Sequence, residues 1–140
     1  MKKESELSDY TKRFVEKDRM GAFMGARFVS LTLSECIYEY DVNPQHLNPN
    51  GILHGGALYT VMDSAQGMFV HAILDNKYKA AATGTSTIRY LAPVFSGTVK
   101  TVTTLKEIKE RKIFVSSKAY NGQKQLVADL EEVWIAIPQS

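Results

Sequence analysis

Asn48 to Gly67 reads NPNGILHGGALYTVMDSAQG, and this stretch decides how the rest of the chain is read. A loop built from Asn, Pro and Gly gives way at about His54 to a helical pattern that runs to about Asn76. Leu58, Val61, Met62, Ala65, Phe69, Ala72 and Ile73 fall on one stripe, at offsets of 0, 3, 4, 7, 11, 14 and 15 residues from Leu58. The opposite face, with Gly56, Tyr59, Gly67 and Val70, carries no charge either. A helix that is apolar or small nearly all round is predicted to lie at the centre of the fold.

The flanking sequence supplies what would enclose it. Residues 5–17 place Leu7, Tyr10 and Phe14 at three- and four-residue steps, the pattern of a short amphipathic helix packed on the outside. From Arg27 to Val42 the period changes to two, with Cys36, Tyr38, Tyr40 and Val42 alternating against Glu35, Ile37, Glu39 and Asp41, which predicts two strands joined near Thr32. Beyond Lys79, four stretches rich in Val, Ile and Thr follow, at 80–91, 97–109, 112–121 and 124–137. The last three are joined by short turns, and Asn121-Gly122 reads as a type I′ hairpin. Connections this short exclude parallel crossovers. The expected architecture is α+β: a six-stranded antiparallel sheet around one long helix, in a single domain over 1–140 with an N-terminal helix in 1–20 and the central helix in 54–76. A sheet of this kind covers one face only, so oligomerisation is expected.

With 140 residues, 44% of them hydrophobic and 23% charged, the chain suits one globular domain. A formal net charge of +2 without blocks of like charge argues against nucleic-acid binding and against a polybasic membrane arm. The single cysteine, Cys36, has no internal disulfide partner. The first 20 residues are charged and amphipathic, without the apolar centre of a signal peptide, and no apolar run reaches the ~18 residues that span a bilayer. A cytoplasmic location is the expectation. Neither H-E-x-x-H nor C-x-x-C occurs, so no metal site is expected, and no cofactor; G-x-S-x-G and phosphate-loop patterns are also absent.

Between Asp41 and Asp75 the only formally charged side chain is Asp63, placed in the middle of the most apolar helix. Burying an unpaired carboxylate costs several kcal/mol, which leaves two readings: an Asp satisfied by nearby donors, or a base or nucleophile kept in a dry site. At the start of the same helix Gly51, Gly55 and Gly56 lie within six residues. Unpaired N–H groups at a helix N-terminus suit an anion or a developing oxyanion, although a flexible entry turn would read the same way. His54 reads either as a residue fixing the loop or as an acid-base group. Eight residues of helix separate Gly55 from Asp63, or ~12 Å along the axis, too far to serve one carbonyl carbon. If both act on one substrate, Asp63 comes from a second, antiparallel helix, and the protein is a symmetric dimer with two composite sites.

NPNGILHGGALYTVMDSAQG resembles the signature of the hotdog-fold 4-hydroxybenzoyl-CoA thioesterase superfamily, and of its phenylacetic-acid-degradation (PaaI-like) branch in particular. The similarity extends to IRYLAPVFSG, from Ile88 to Gly97. The resemblance implies the hotdog fold and an acyl-CoA thioesterase acting on an arylacetyl- or medium-chain acyl-CoA. By position it assigns Gly55 as the carbonyl-polarising amide and Asp63 as the catalytic carboxylate donated by the facing subunit. Asn48 becomes the residue orienting water or the carbonyl, His54 the HGG histidine, and Thr83, a serine in some members, a hydroxyl near the attacking water. Gly56, Tyr90 and Pro93 are expected to contact the substrate. Lys109, Arg111 and Lys112, beside Lys106 at a predicted turn, are expected to meet the coenzyme A phosphates unless they form only a solvated turn. A homodimer, associating further into a homotetramer, is implied as well. Hotdog dehydratases resemble a different pattern, with spaced prolines after the histidine. The other reading is an acyl-CoA-binding sensor without catalysis, for which a buried Asp63 has no use.

Overall fold

The computed structural model describes residues 2–140. In chain order it contains α1 (Leu7–Lys17), α2 (Arg19–Met24), β1 (Ala26–Leu31), β2 (Glu35–Asp41), α3 (Gly55–Ile73), β3 (Tyr78–Tyr90), β4 (Thr98–Lys109), β5 (Lys112–Tyr120) and β6 (Leu126–Pro138). The strands form one antiparallel sheet in the order β1-β2-β4-β5-β6-β3. α3 lies inside its curve, as the hotdog arrangement requires.

The predicted stripe is buried in full: Leu58, Val61, Met62, Ala65, Phe69, Ala72 and Ile73 are each at most 4% exposed. From β2 the inward phase Cys36, Tyr38 and Tyr40 meets the helix. From β6 the inward phase is Ala128, Leu130, Glu132, Trp134 and Ala136, apolar except at Glu132. Burial pushes the Cys36 thiol up to about 12. α1 covers the open side, burying Leu7 and laying Tyr10 and Phe14 on the core, with the Tyr10 hydroxyl donating to the Met68 carbonyl at 2.9 Å.

Two local expectations are corrected. Asn121 and Gly122 do not form a type I′ hairpin. The Asn121 side chain accepts from the Gln123 and Gln125 N–H groups, Lys124 N–H bonds Asn121 O, and the positive φ falls on Lys124, at 64°. The Asx arrangement outcompetes the two-residue turn and widens the loop to five residues, 121–125. The two-residue hairpin is instead Glu110-Arg111, between β4 and β5, where Glu110 takes φ 57°. The second correction concerns the single N-terminal helix expected within 1–20: α1 ends at Lys17, and a separate α2 runs from Arg19 to Met24. Asp18 caps it by accepting from Gly21 N–H at 3.0 Å, and Gly25 ends it in the left-handed region at φ 77°. The long helix also ends at Ile73, three residues short of Asn76.

Gln66, fully buried on α3, fixes the helix against the sheet. Its amide donates to the Leu130 carbonyl at 3.1 Å, and its Oε1 accepts from the Trp134 indole N–H at 3.0 Å. Replacing Gln66 by Leu keeps most of the volume but strands the indole donor, a loss of ~1–3 kcal/mol. Urea unfolding of Gln66→Leu is expected to show that loss, and combining it with Trp134→Phe is expected to cost less than the sum of the single changes.

Candidate active site

The segment before α3 is held by backbone-directed bonds. The Asn48 Oδ1 accepts from Asn50 N–H at 2.9 Å and Ile52 N–H at 3.1 Å, which orients its amide NH₂ away from the loop. His54 N–H donates to His46 O, and the Leu53 N–H to Val94 O. His54 is the N-cap of α3: its Nδ1 accepts from Gly56 N–H at 2.9 Å, and its carbonyl takes the Ala57 and Leu58 N–H groups. Three of the first four helical donors are thereby satisfied. The Gly55 N–H is the one left without an acceptor among the described residues.

That donor lies in the wall of a cavity of ≈ 330 Å³ lined by Ile52, Leu53, Gly55, Leu58, Tyr90 and Leu91–Val94. The Tyr90 ring lies over Gly55 and its hydroxyl donates to the Gly55 carbonyl at 2.7 Å. A Cβ at position 55 would come within 2.9 Å of the ring, so this approach requires glycine. Gly55, Tyr90 and Pro93 are thus brought together in one cavity wall. Gly56 adjoins them, but its amide is taken by His54.

Asp63 faces a different group of residues. Its Oδ1 is buried and meets no donor among the described residues. Within hydrogen-bonding reach is the carboxyl of Glu132, itself only 2% exposed, whose Oε2 accepts from the Tyr59 hydroxyl at 3.1 Å and from the Ser86 hydroxyl. Burial, reinforced by Asp63, pushes the Glu132 carboxyl up to about 7. Sequence reading missed Glu132, Ser86 and this role of Tyr59. The available signal was Glu132 itself, an acidic residue on the inward phase of an otherwise apolar strand.

Thr83 is exposed on β3, immediately before a bulge at Gly84, where a Cβ would lie 3.1 Å from Ile135. No hydrogen bond joins Thr83 to Asp63 among the described residues. Lys109, Arg111 and Lys112 are exposed around the β4–β5 turn, while Lys106 pairs with Glu131 at 3.4 Å. This turn borders a second cavity that includes Ile73 and Leu74, at the opposite end of α3 from Gly55. Among the described residues no group of three or more His, Cys, Asp or Glu is arranged to hold a metal ion. No helix among them is long and apolar enough to cross a membrane.

The chain is 26% identical over 121 residues to a Saccharolobus solfataricus protein described as a candidate esterase, covering 86% of this chain and 79% of that one. Its structure is similar to that of the E. coli PaaI protein from the phenylacetic acid degradation operon, with a TM-score of 0.88, 20% identity, and 98% and 97% of the two chains covered. A phenylacetic acid degradation-related protein of Ralstonia eutropha JMP134 matches with a TM-score of 0.81 and 18% identity over 90% and 98% of the chains. These likenesses establish the hotdog fold. The sequence profile of the thioesterase superfamily matches residues 50–128, a span that holds α3 with its His54 cap and the strands β3, β4 and β5, and the chain belongs to that superfamily.

Proposed function

We propose that the protein hydrolyses the thioester of an acyl-coenzyme A, an arylacetyl- or medium-chain one, to the free acid and coenzyme A. The observation that carries this reading is the unsatisfied Gly55 N–H at the edge of an apolar cavity. A thioester carbonyl set against that amide accepts its hydrogen bond, and the bond strengthens as the carbon becomes tetrahedral and charge builds on oxygen. The acyl chain lies among Leu58, Leu91 and Val94. Asp63 either takes a proton from the attacking water or attacks the carbonyl carbon itself. In both cases the C–S bond breaks and the coenzyme A thiolate leaves. The Asn48 amide, turned outward by its two backbone bonds, is a second donor for the carbonyl or the water, and Thr83 an acceptor near it. His54 supports the site by capping, which reserves the Gly55 amide for substrate.

Gly55 and Asp63 of one chain stand ~12 Å apart along α3, so the site is composite and the working unit a homodimer or a dimer of dimers. β3 supports this assembly. Among the described residues it pairs only with β6, and its 80–88 segment, AAATGTSTI, is an edge without the charges or proline that normally blunt one. Sedimentation at micromolar concentration is expected to show a dimer or larger species with thiol-releasing activity. An active monomer would overturn the composite site.

Asp63→Asn keeps volume and hydrogen-bonding capacity but removes the basicity that either mechanism uses. A free-thiol assay over a panel of acyl-CoA substrates is expected to show kcat reduced ~10²–10⁴-fold with binding retained. The thermal midpoint of the same sample is expected to hold or rise, because a carboxyl facing Glu132 has been removed. An unstable variant whose folded fraction is fully active would make Asp63 merely structural. Binding without thiol release by the wild type would instead favour the sensor.

The exposed cations of the β4–β5 turn lie a helix length from Gly55 of their own chain, so in this reading they meet coenzyme A bound largely by the other. Replacing Lys109, Arg111 and Lys112 by Ala is expected to raise KM more than it lowers kcat, and more at low ionic strength, where screening is weaker. An unchanged KM at low salt would leave the turn as solvated surface.

A further inference from the structure

Glu132 takes no part in the mechanism above, yet it is buried on β6, beside the edge strand β3, against Asp63. Its Oε2 accepts two hydroxyl hydrogen bonds, from Tyr59 and Ser86, and so behaves as a carbonyl-like acceptor. Among the described residues its buried Oε1 has no partner, and buried Asp63 Oδ1 has none either. Two adjacent carboxylates have no donor to offer one another, whereas one proton between them satisfies both orphaned oxygens. We infer that Glu132 is the positioning residue of Asp63: its Oε1 holds a proton donated to Asp63 Oδ1, which leaves the other Asp63 oxygen to serve the substrate.

The surroundings support a neutral Glu132. Facing it from α3 are Tyr59 and Asp63, from β3 Ser86, its register partner, and from β5 Val115. The nearby cations are engaged elsewhere, Arg89 with Asp129 and Lys106 with Glu131. Among the described residues no cation bonds either member of the pair. The one Tyr59 hydroxyl proton is shared between Glu132 Oε2 and Ser86 Oγ, 2.9 Å away, so the carboxyl is clamped from two elements. As pH rises the shared proton is lost, the two carboxylates repel, and Asp63 leaves its place.

The role assigned to Asp63 rests on the hydrolase reading, but the shared proton does not, and the test separates them. Wild type, Glu132→Gln, Glu132→Ala and Asp63→Asn are compared by infrared spectroscopy between pH 6 and 8, by melting against pH, and by thiol release. A protonated-carboxyl band that disappears on raising the pH is expected in wild type and absent from Glu132→Gln. Glu132 is raised from 4.5 to about 7 in the native state, so over that window the folded chain holds a proton the unfolded chain has lost, and stability falls as pH rises. The midpoint of Glu132→Gln, whose amide donates as the acid does without ionising, is therefore expected to gain on wild type from pH 4.5 and level off above about 7. In thiol release Glu132→Gln is expected to keep kcat while losing the decline above neutral pH, and Glu132→Ala to lower kcat by about 10² at unchanged KM. A wild-type spectrum without the band, or a midpoint difference independent of pH, would overturn the shared proton. Retained kcat in Glu132→Ala would overturn the positioning role. If no acyl-CoA is cleaved by wild type, the hydrolase reading falls while the spectra and melts still decide the pair.

Discussion

Along its 19 residues α3 offers water almost nothing but apolar and small side chains, so it persists only where other elements exclude water from nearly every side. The sheet does this by curving, β2 supplying Cys36, Tyr38 and Tyr40 to one flank and β6 supplying Leu130, Trp134 and Ala136 to the other. α1 closes the remaining side. Among the described residues Gln66 is paired with Trp134 and Leu130, and His71 with the Gly67 carbonyl through Nδ1 and the Ala81 N–H through Nε2, while the Thr101 hydroxyl is buried without a partner. The Asp63–Glu132 pair is the exception in kind, since each is an acceptor until a proton is shared.

In the proposed reading the same helix determines the distribution of function. Its N-terminus, capped by His54, presents one free amide; its middle presents a carboxylate; its far end lies beside the basic turn. A straight rod cannot bring these to one atom, and a second copy running the other way can. The length of β3 and its uncharged edge belong to that solution in the proposed reading, because a strand left open to water along so many residues is a site for pairing with another chain.

Much of this was legible before any coordinates. Helical and two-residue periods locate α3 and all six strands to within a few residues, because the core demands one apolar stripe per helix and one apolar phase per strand. Asp63 and Gly55 stood out for the same reason, as a charge and a flexible residue where the pattern wants neither. What escaped was local or distant. α2 has six residues, too few to establish a period, and depends on the Asp18 cap. The 121–125 loop turns on one asparagine side chain rather than on a dipeptide preference. Ser86 and Glu132 are 46 residues apart in sequence, and their meeting at Asp63 follows from the β3–β6 register, which composition does not encode.

Cys36 lies on the inward phase of β2 with no exposed surface, and burial holds its thiol protonated well above neutrality. It is the only cysteine in the chain. A disulfide reagent that reports free coenzyme A therefore meets no competing nucleophile on the native protein, since the thiolate is the reactive form and here it is neither formed nor accessible. Once the β1–β2 side of the sheet opens, the same reagent gains one equivalent of thiol per chain. Labelling of this one sulfur, without any introduced probe, thus becomes a clock for how often the wall beside α1 comes away from the central helix.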